Sequence, residues 1–372
     1  MSVSLYQQIK IASHLTSKKL NSEQKKIPIV LMLEPTFKTN LKTKVCGKSD
    51  YPEAVLNEYL SPEKCIYSVQ ECDAPIVSIT GGEPLLLDDM PEIVEGLVKK
   101  KKYVYLTTNG LLLNKNIFDY VPSKYFTISV QLNGLKEDHD KIVGQDGVFE
   151  NAIDAIQLCK VKGFNVTINC SIYLYQRIKN IIEFLNFITD ELKVDGINIT
   201  PGFPYERASD QENFLNRDNT IKFFRNVFKS KKLKNWRLNH TSLYLDFLAG
   251  NQSFFCTPWA TPTRNIFGWQ KPCYHLSEGY YKTYQELIEK TDWKKYGTGN
   301  YEKCTNCMTH CGYEPSSIQD IFNSPLKAIS KKMLGIKTTG PIVEEVSNLG
   351  ARNSEDLHDK IVESKMYELD LM

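Results

Sequence analysis

Residues 71–86 read ECDAPIVSITGGEPLL, and the fold is decided there. Pro75–Thr80 is a short β-branched, apolar run that Gly81-Gly82 stops. Ile93, Val94, Leu97 and Val98 follow at helical spacing. The same unit recurs on both sides. Ile27–Leu33 is an apolar run ending in Glu34-Pro35. Tyr103–Leu106 stops at Asn109-Gly110, and Phe126–Leu132 stops at Asn133-Gly134. A helix over 149–162 ends before Gly163. Asn165–Ile172 is a fifth strand, Ile181, Ile182, Leu185 and Ile188 mark another helix, and Gly196–Thr200 closes on Pro201-Gly202. Six strand–helix alternations predict parallel strands under covering helices. An open doubly wound sheet and a partial (β/α) barrel both satisfy this pattern. In either, function sits at the C-terminal ends of the strands.

Past residue 225 the alternation stops. Aromatics, prolines and cysteines dominate in CTPWATPTRNIFGWQKPCYH and NYEKCTNCMTHCGYE. This reads as a loop-rich lobe held by a metal or by the main body. The predicted organisation is an N-terminal helix (1–26), an α/β body (27–225), a Cys-rich domain (226–330) and a charged tail (331–372) with one short helix near 355–368. Leu5, Ile9, Ala12 and Leu15 give the first helix its apolar spacing. A helix docked on the body is the plain reading, and one touching membrane lipid is the sharper one.

At 372 residues the chain suits one large domain with an appendage, or two domains. Forty-six cations against 44 anions leave +2, which supplies no electrostatic reason to expect nucleic acid. Hydrophobic residues at 41% and charged ones at 24% exclude global disorder. No run of eighteen apolar residues exists, and the N-terminus lacks the features of a secretory signal. The expectation is a cytoplasmic protein.

Ten cysteines are many for such a protein, and in a reducing cytosol they are not expected to pair. Cys65, Cys72, Cys159 and Cys170 read as small core hydrophobes. Cys256, Cys273, Cys304, Cys307 and Cys311 crowd together, and the last three form C-x2-C-x3-C. That grouping suits an auxiliary iron–sulfur cluster or a structural zinc, against the alternative of unligated thiols. Gly81-Gly82-Glu83-Pro84 presents a carboxylate at a strand end, able to hold an amino-acid ammonium. A plain strand-to-helix turn is the alternative. Tyr205-Glu206-Arg207, Trp259, Phe267 and Trp269 are candidates for an apolar pocket wall, or for core.

GGEP after the second strand resembles the S-adenosylmethionine (SAM) signature of radical SAM enzymes. LMLEPTF, CGKSDYPEAVLN, MPEIVEGLV, KKYVYLTTNGLLL, VDGINITPGFPYERASDQENFLNR, LDFLAGNQSFFCTPW, PTRNIFGWQKPCY and TDWKKYGTGNYEKCTNCMTHCGYE extend the likeness over residues 1–330. Together they resemble one subfamily, the hopanoid-associated adenosylhopane synthases. The resemblance implies a partial (β/α)6 barrel of radical SAM type with a Cys-rich C-terminal extension. It implies a 4Fe–4S cluster on three cysteines that cleaves SAM to a 5′-deoxyadenosyl radical, which adds to the terminal alkene of diploptene to give adenosylhopane. It also implies a reductant such as flavodoxin or ferredoxin, a triterpene substrate and contact with the inner face of the membrane.

By position, Glu83 would bond the methionine ammonium beside Gly81 and Gly82. Ser129 and Gln131 would face the ribose or carboxylate. Asn169, Ser171, Pro201 and Gly202 would line the adenosyl site. The cluster loop departs from the subfamily. Members carry C-x3-C-x2-C after the first strand, where residues 36–48 here read TFKTNLKTKVCGK. The three ligand positions hold Thr39, Thr43 and Cys46. The resemblance implies a cysteine at Thr107 as well. A threonine hydroxyl is a poor substitute for thiolate on an iron–sulfur cluster. Three readings follow: an adenosyl-transferring enzyme, a degenerate protein that keeps the fold and the C-terminal metal but does not cleave SAM, and a lipid-binding or non-radical transferase use of the same cavity.

Overall fold

The computed structural model describes residues 4–21, 26–324, 326 and 334–343. Six parallel strands carry the body: β1 (Val30–Glu34), β2 (Ile76–Ile79), β3 (Tyr103–Thr108), β4 (Phe126–Gln131), β5 (Asn165–Ile172) and β6 (Gly196–Pro201). They pair in simple succession, each parallel to the next. This is the partial barrel with a C-terminal extension that the sequence predicts.

Alternation along the strands builds it, since successive side chains point to opposite faces. Val104, Leu106, Ile128, Val130, Ile168 and Cys170 are buried on the helix side. Covering them are α2 (Pro62–Cys72), α3 (Met90–Lys99), α4 (Val148–Val161) and α5 (Ile178–Asp190). These helices bury Cys65, Val69 and Cys72, Ile93 and Leu97, Ala155 and Cys159, and Ile181 and Leu185. The four cysteines read as core residues are therefore packed in the core. The intervening positions Tyr105, Thr107, Ser129, Gln131, Asn169 and Ser171 face the barrel interior and line its cavity.

The Cys-rich segment is more regular than its composition suggests. β7 (Thr263–Asn265) lies parallel to β1, and β8 (Gly268–Pro272) and β9 (Ser277–Tyr281) continue antiparallel, extending one sheet to nine strands. The sheet thus runs across the composition change near residue 225. Two further helices, α6 (Arg217–Phe228) and α7 (His310–Asn323), flank this part. The N-terminal helix is α1 (Leu5–Asn21). Its Leu15 is buried with Ile27, Ile29 and Ala260, so one face docks on the body. Among the described residues, no helix is long and apolar enough to cross a membrane. The short helix expected near 355–368 lies outside the described residues.

Candidate functional site

The Gly81-Gly82-Glu83 turn is where the strand end meets the loop after β1. Gly82 N–H donates to the Thr36 carbonyl at 2.9 Å, and Glu83 N–H to the Lys38 carbonyl at 2.7 Å. Gly81 has φ +114°, open to glycine but strained for other residues. A Cβ on Gly82 would collide with the Lys38 carbonyl. The paired glycines therefore let the 36–48 loop lie directly on the strand end. Glu83 is 1% exposed. Its Oε2 accepts from Asn109 N–H at 2.9 Å and its Oε1 from Leu85 N–H at 3.1 Å. Burial pushes the carboxyl up to about 7, outweighing the backbone donors that favour the ionised form.

Above this turn lies a cavity of about 450 Å³. Gly81, Gly82, Glu83, Ser129, Gln131, Asn169, Ser171, Pro201 and Gly202 all line it, so the structure brings every strand-end residue expected from the sequence into one space. Thr39, Thr43, Cys46 and Thr107 line the same space. The cavity also draws walls from the C-terminal segment, including His240, Tyr274, His275, His310 and Glu314. His240 Nε2 accepts from Ile199 N–H at 3.0 Å, so its Nδ1 carries the proton facing Glu314 Oε2 at 2.6 Å. That pair ties the end of β6 to α7. Burial holds His275 and His310 down at about 3, so both are neutral at pH 7. Among the described residues, Nδ1 of each has no hydrogen-bond partner.

One feature of the site escaped the sequence reading. Lys48 Nζ forms an ion pair with Glu34 at the end of β1, with side chains 14% and 1% exposed. The ammonium also sits 4.6 Å from the Phe37 ring centroid and 5.5 Å from that of Tyr274. Burial alone would lower the Lys48 pKa, but Glu34 and Tyr274 outweigh it and leave it raised. Glu34 closes LMLE and Lys48 closes the CGK tripeptide, so both were visible as residues; their pairing is a product of the loop's return across the strand.

The sequence resemblance implies a 4Fe–4S cluster held by three thiolates of the 36–48 loop. The loop does not fit that group. Only Cys46 is a thiol, and burial pushes it up, with the Lys48 ammonium opposing. Thr39 Oγ1 is engaged with its own turn, donating to the Leu41 carbonyl and accepting from the Leu41 N–H, both at 3.2 Å.

The C-terminal thiols centre on another space, which Cys311 shares with the large cavity. Cys256, Cys273, Cys304, Cys307 and Cys311 surround a second, small cavity of about 20 Å³. Cys46 is not among them, so the six candidate metal ligands divide one and five. Among the described residues, no three His, Cys, Asp or Glu side chains stand in metal-holding geometry. Thr309 Oγ1 bridges part of the set, 3.2 Å from Cys307 Sγ, 3.3 Å from Cys311 Sγ and 2.9 Å from His275 Nε2. Phe203, His275, Thr309 and Cys311 line both cavities.

The expected aromatic wall is mostly elsewhere too. Tyr205 lines the large cavity, whereas Trp269 is buried in the core, its Nε1–H donating to Glu71 at 3.0 Å. Trp259 packs edge-on to Trp293, and Phe267 is 42% exposed beside Phe37 and Tyr51.

Comparison with known proteins agrees with the fold. The radical SAM superfamily profile matches residues 38–188, and a domain of unknown function, DUF3463, matches residues 197–331. A GTP 3′,8-cyclase of Clostridium perfringens is 23% identical over 272 residues, 67% of this chain and 81% of the relative. An Fe-coproporphyrin III synthase of Methanosarcina barkeri is 25% identical over 49% of this chain and 45% of its own length. Among solved structures, Streptococcus suis SuiB superposes with TM-score 0.60 at 16% identity, covering 84% of this chain and 78% of SuiB. Its complex with SAM superposes at 0.52 and 19% identity over 61% and 53% of the two chains.

Proposed function

We propose that this chain, whose residues 38–188 match the radical SAM superfamily profile, is a SAM- and triterpene-binding protein of the adenosylhopane type. Its lineage reaction is transfer of a 5′-deoxyadenosyl group to the terminal alkene of a diploptene-like triterpene. The observation that carries this reading is the two-ended cavity. One end holds the glycine turn, Glu83 and the hydroxyl and amide side chains of β4 and β5. The other is lined by Ile11, Ile29, Val30, Ile76, Ile318 and Ile321. The polar end offers partners to a nucleoside and the apolar end to a hydrocarbon, with Thr107 beside Ser129 on the polar side. Glu83 would hold the SAM ammonium once ionised. Gln131 and Asn169, side by side on β4 and β5, would offer donors and acceptors to the ribose and carboxylate.

Thr39 and Thr43 argue for the second reading as the present state of the site: SAM is bound but not reductively cleaved. The test is 5′-deoxyadenosine formation from SAM after anaerobic iron–sulfide reconstitution with dithionite. It is run on the chain as written and on Thr39→Cys/Thr43→Cys, with SAM binding measured by equilibrium dialysis. Both proteins are expected to bind SAM, and only the double variant to release 5′-deoxyadenosine and, with diploptene, adenosylhopane. Cleavage by the unaltered chain would overturn the ligand argument. No SAM binding by either would overturn the reading as a whole.

For the C-terminal thiols we infer a metal, iron–sulfur or zinc, since five thiols around one small cavity form a soft donor set. Loading would require the side chains to close from their present positions. Metal analysis of protein purified anaerobically tests it, with four iron or one zinc per chain expected and neither overturning the inference.

A further inference from the structure

The central cavity extends to an apolar end. Away from Glu83 it passes Tyr105, whose hydroxyl donates to Gln7 Oε1 at 2.9 Å, and reaches the gap between α1 and α7. Phe322 of α7 lines the cavity yet is 37% exposed, so the cavity meets the surface there. The helix at that mouth has two apolar sides. Ile11 and Leu15 pack on the body, while Leu5, Tyr6 and Ile9 are 69%, 72% and 54% exposed. α1 carries no carboxylate, and Lys10 and Lys19 are exposed on it. Exposed Lys124, from the turn before β4, lies 5.4 Å from the Tyr6 ring centroid. Lys18 differs, being paired with Asp73 at 3.0 Å.

Large apolar side chains standing beside cations, on a helix without anions, are the chemistry of an element lying on an anionic bilayer. A hydrocarbon substrate dissolves in that bilayer and not in water, because removing each methylene from water is favourable. We propose that the α1–α7 mouth docks on anionic membrane and draws the apolar substrate directly from it into the cavity. The proposal rests on the substrate reading above for its second half; the docking itself does not. Its occupant is the bilayer, on the charge complementarity of Lys10, Lys19 and Lys124 with anionic lipid. Residues 344–372, with eight anions and three cations, and a second copy of the chain are the competing occupants.

Flotation of the full chain with phosphatidylcholine vesicles, with and without phosphatidylglycerol, tests this. At least tenfold more protein is expected on the anionic vesicles, with the difference lost at high salt. Tyr6→Glu/Ile9→Glu, both at exposed positions, is expected to lose at least tenfold of that binding with an unchanged melting temperature. The same variant would take up diploptene from detergent as well as the parent does, but not from vesicles. Docking with no diploptene retained from either source would leave the surface standing and remove the substrate reading. The proposal falls if the parent does not float, or if the variant floats as well as the parent. It also falls if only a chain ending at Val343 binds, which would assign the patch to the C-terminal segment. A dimer that Tyr6→Glu/Ile9→Glu dissolves would assign it to a second copy.

Discussion

The 36–48 loop and the 256–311 lobe are both written like metal sites, and they differ in what each has kept. The loop keeps its frame: two backbone bonds to the glycine turn, a glycine pressed on the Lys38 carbonyl and the buried Glu34–Lys48 pair. It has one thiol, Cys46, where three are needed. The lobe keeps five thiols around one cavity, with no three in metal-holding geometry among the described residues. Frame and ligand set are thus separable. Close packing holds a loop shape after its ligands change, while a soft donor set can persist without being closed on a metal.

The sharpest way to break that contrast is to remove the loop's frame. Glu34→Gln leaves Lys48 as an uncompensated, largely buried charge, so a loss of about 4 kcal/mol in unfolding free energy is expected. Urea titration measures it, and the lobe's metal content should not change. A loss below about 1 kcal/mol would mean the pair contributes nothing to the frame.

The next effect is a pH dependence from Glu83. Its folded pKa, about 7, lies above the ordinary 4.5. Its stabilising contribution is therefore complete below about pH 4.5 and is lost as pH rises through 7. The span corresponds to on the order of 3 kcal/mol. Glu83→Gln should flatten this part of the stability–pH curve. SAM affinity should run the opposite way, rising through pH 7 as the carboxylate ionises to meet the ammonium. An unchanged slope in the variant would show that another group titrates.

Metal removal probes the lobe. A chelator should lower the melting temperature, since a metal present at 100 times its Kd contributes about 2.7 kcal/mol. Glu34→Gln and its parent should respond equally. No response to the chelator would make the lobe a set of packed thiols. The smallest effect belongs to the cavity's far end, where Tyr105→Phe removes the bond to Gln7 at a cost of about 1 kcal/mol. SAM binding should be untouched.

The six parallel strands were legible because each is a short apolar run stopped by glycine, proline or asparagine, and their observed ends differ from the expected ones by at most three residues. The polar cavity residues Ser129, Gln131, Asn169 and Ser171 were legible through the family resemblance, and the two-residue period of strands explains why all four share one face. β7 to β9 were not. β7 is three residues long, and the hairpin beyond it is rich in aromatics, glycine and proline without clean alternation. The Glu34–Lys48 pair was hidden for another reason: it spans fourteen positions and forms only when the loop returns over β1. Trp269 shows the limit of composition, since an indole suits a pocket wall and a core equally until its N–H finds Glu71.

The placing of β7 beside β1 has a consequence for how the chain is made. β1 pairs with β2 early, but its other edge waits for β7, as Met32 lies opposite Thr263. At about 5–20 residues per second, the ribosome takes roughly ten to fifty seconds to deliver that partner. Throughout that interval a nascent barrel would show an unpaired, apolar strand edge, open to other chains. Synthesis, more than the finished fold, is therefore the stage at which this protein is most exposed to aggregation.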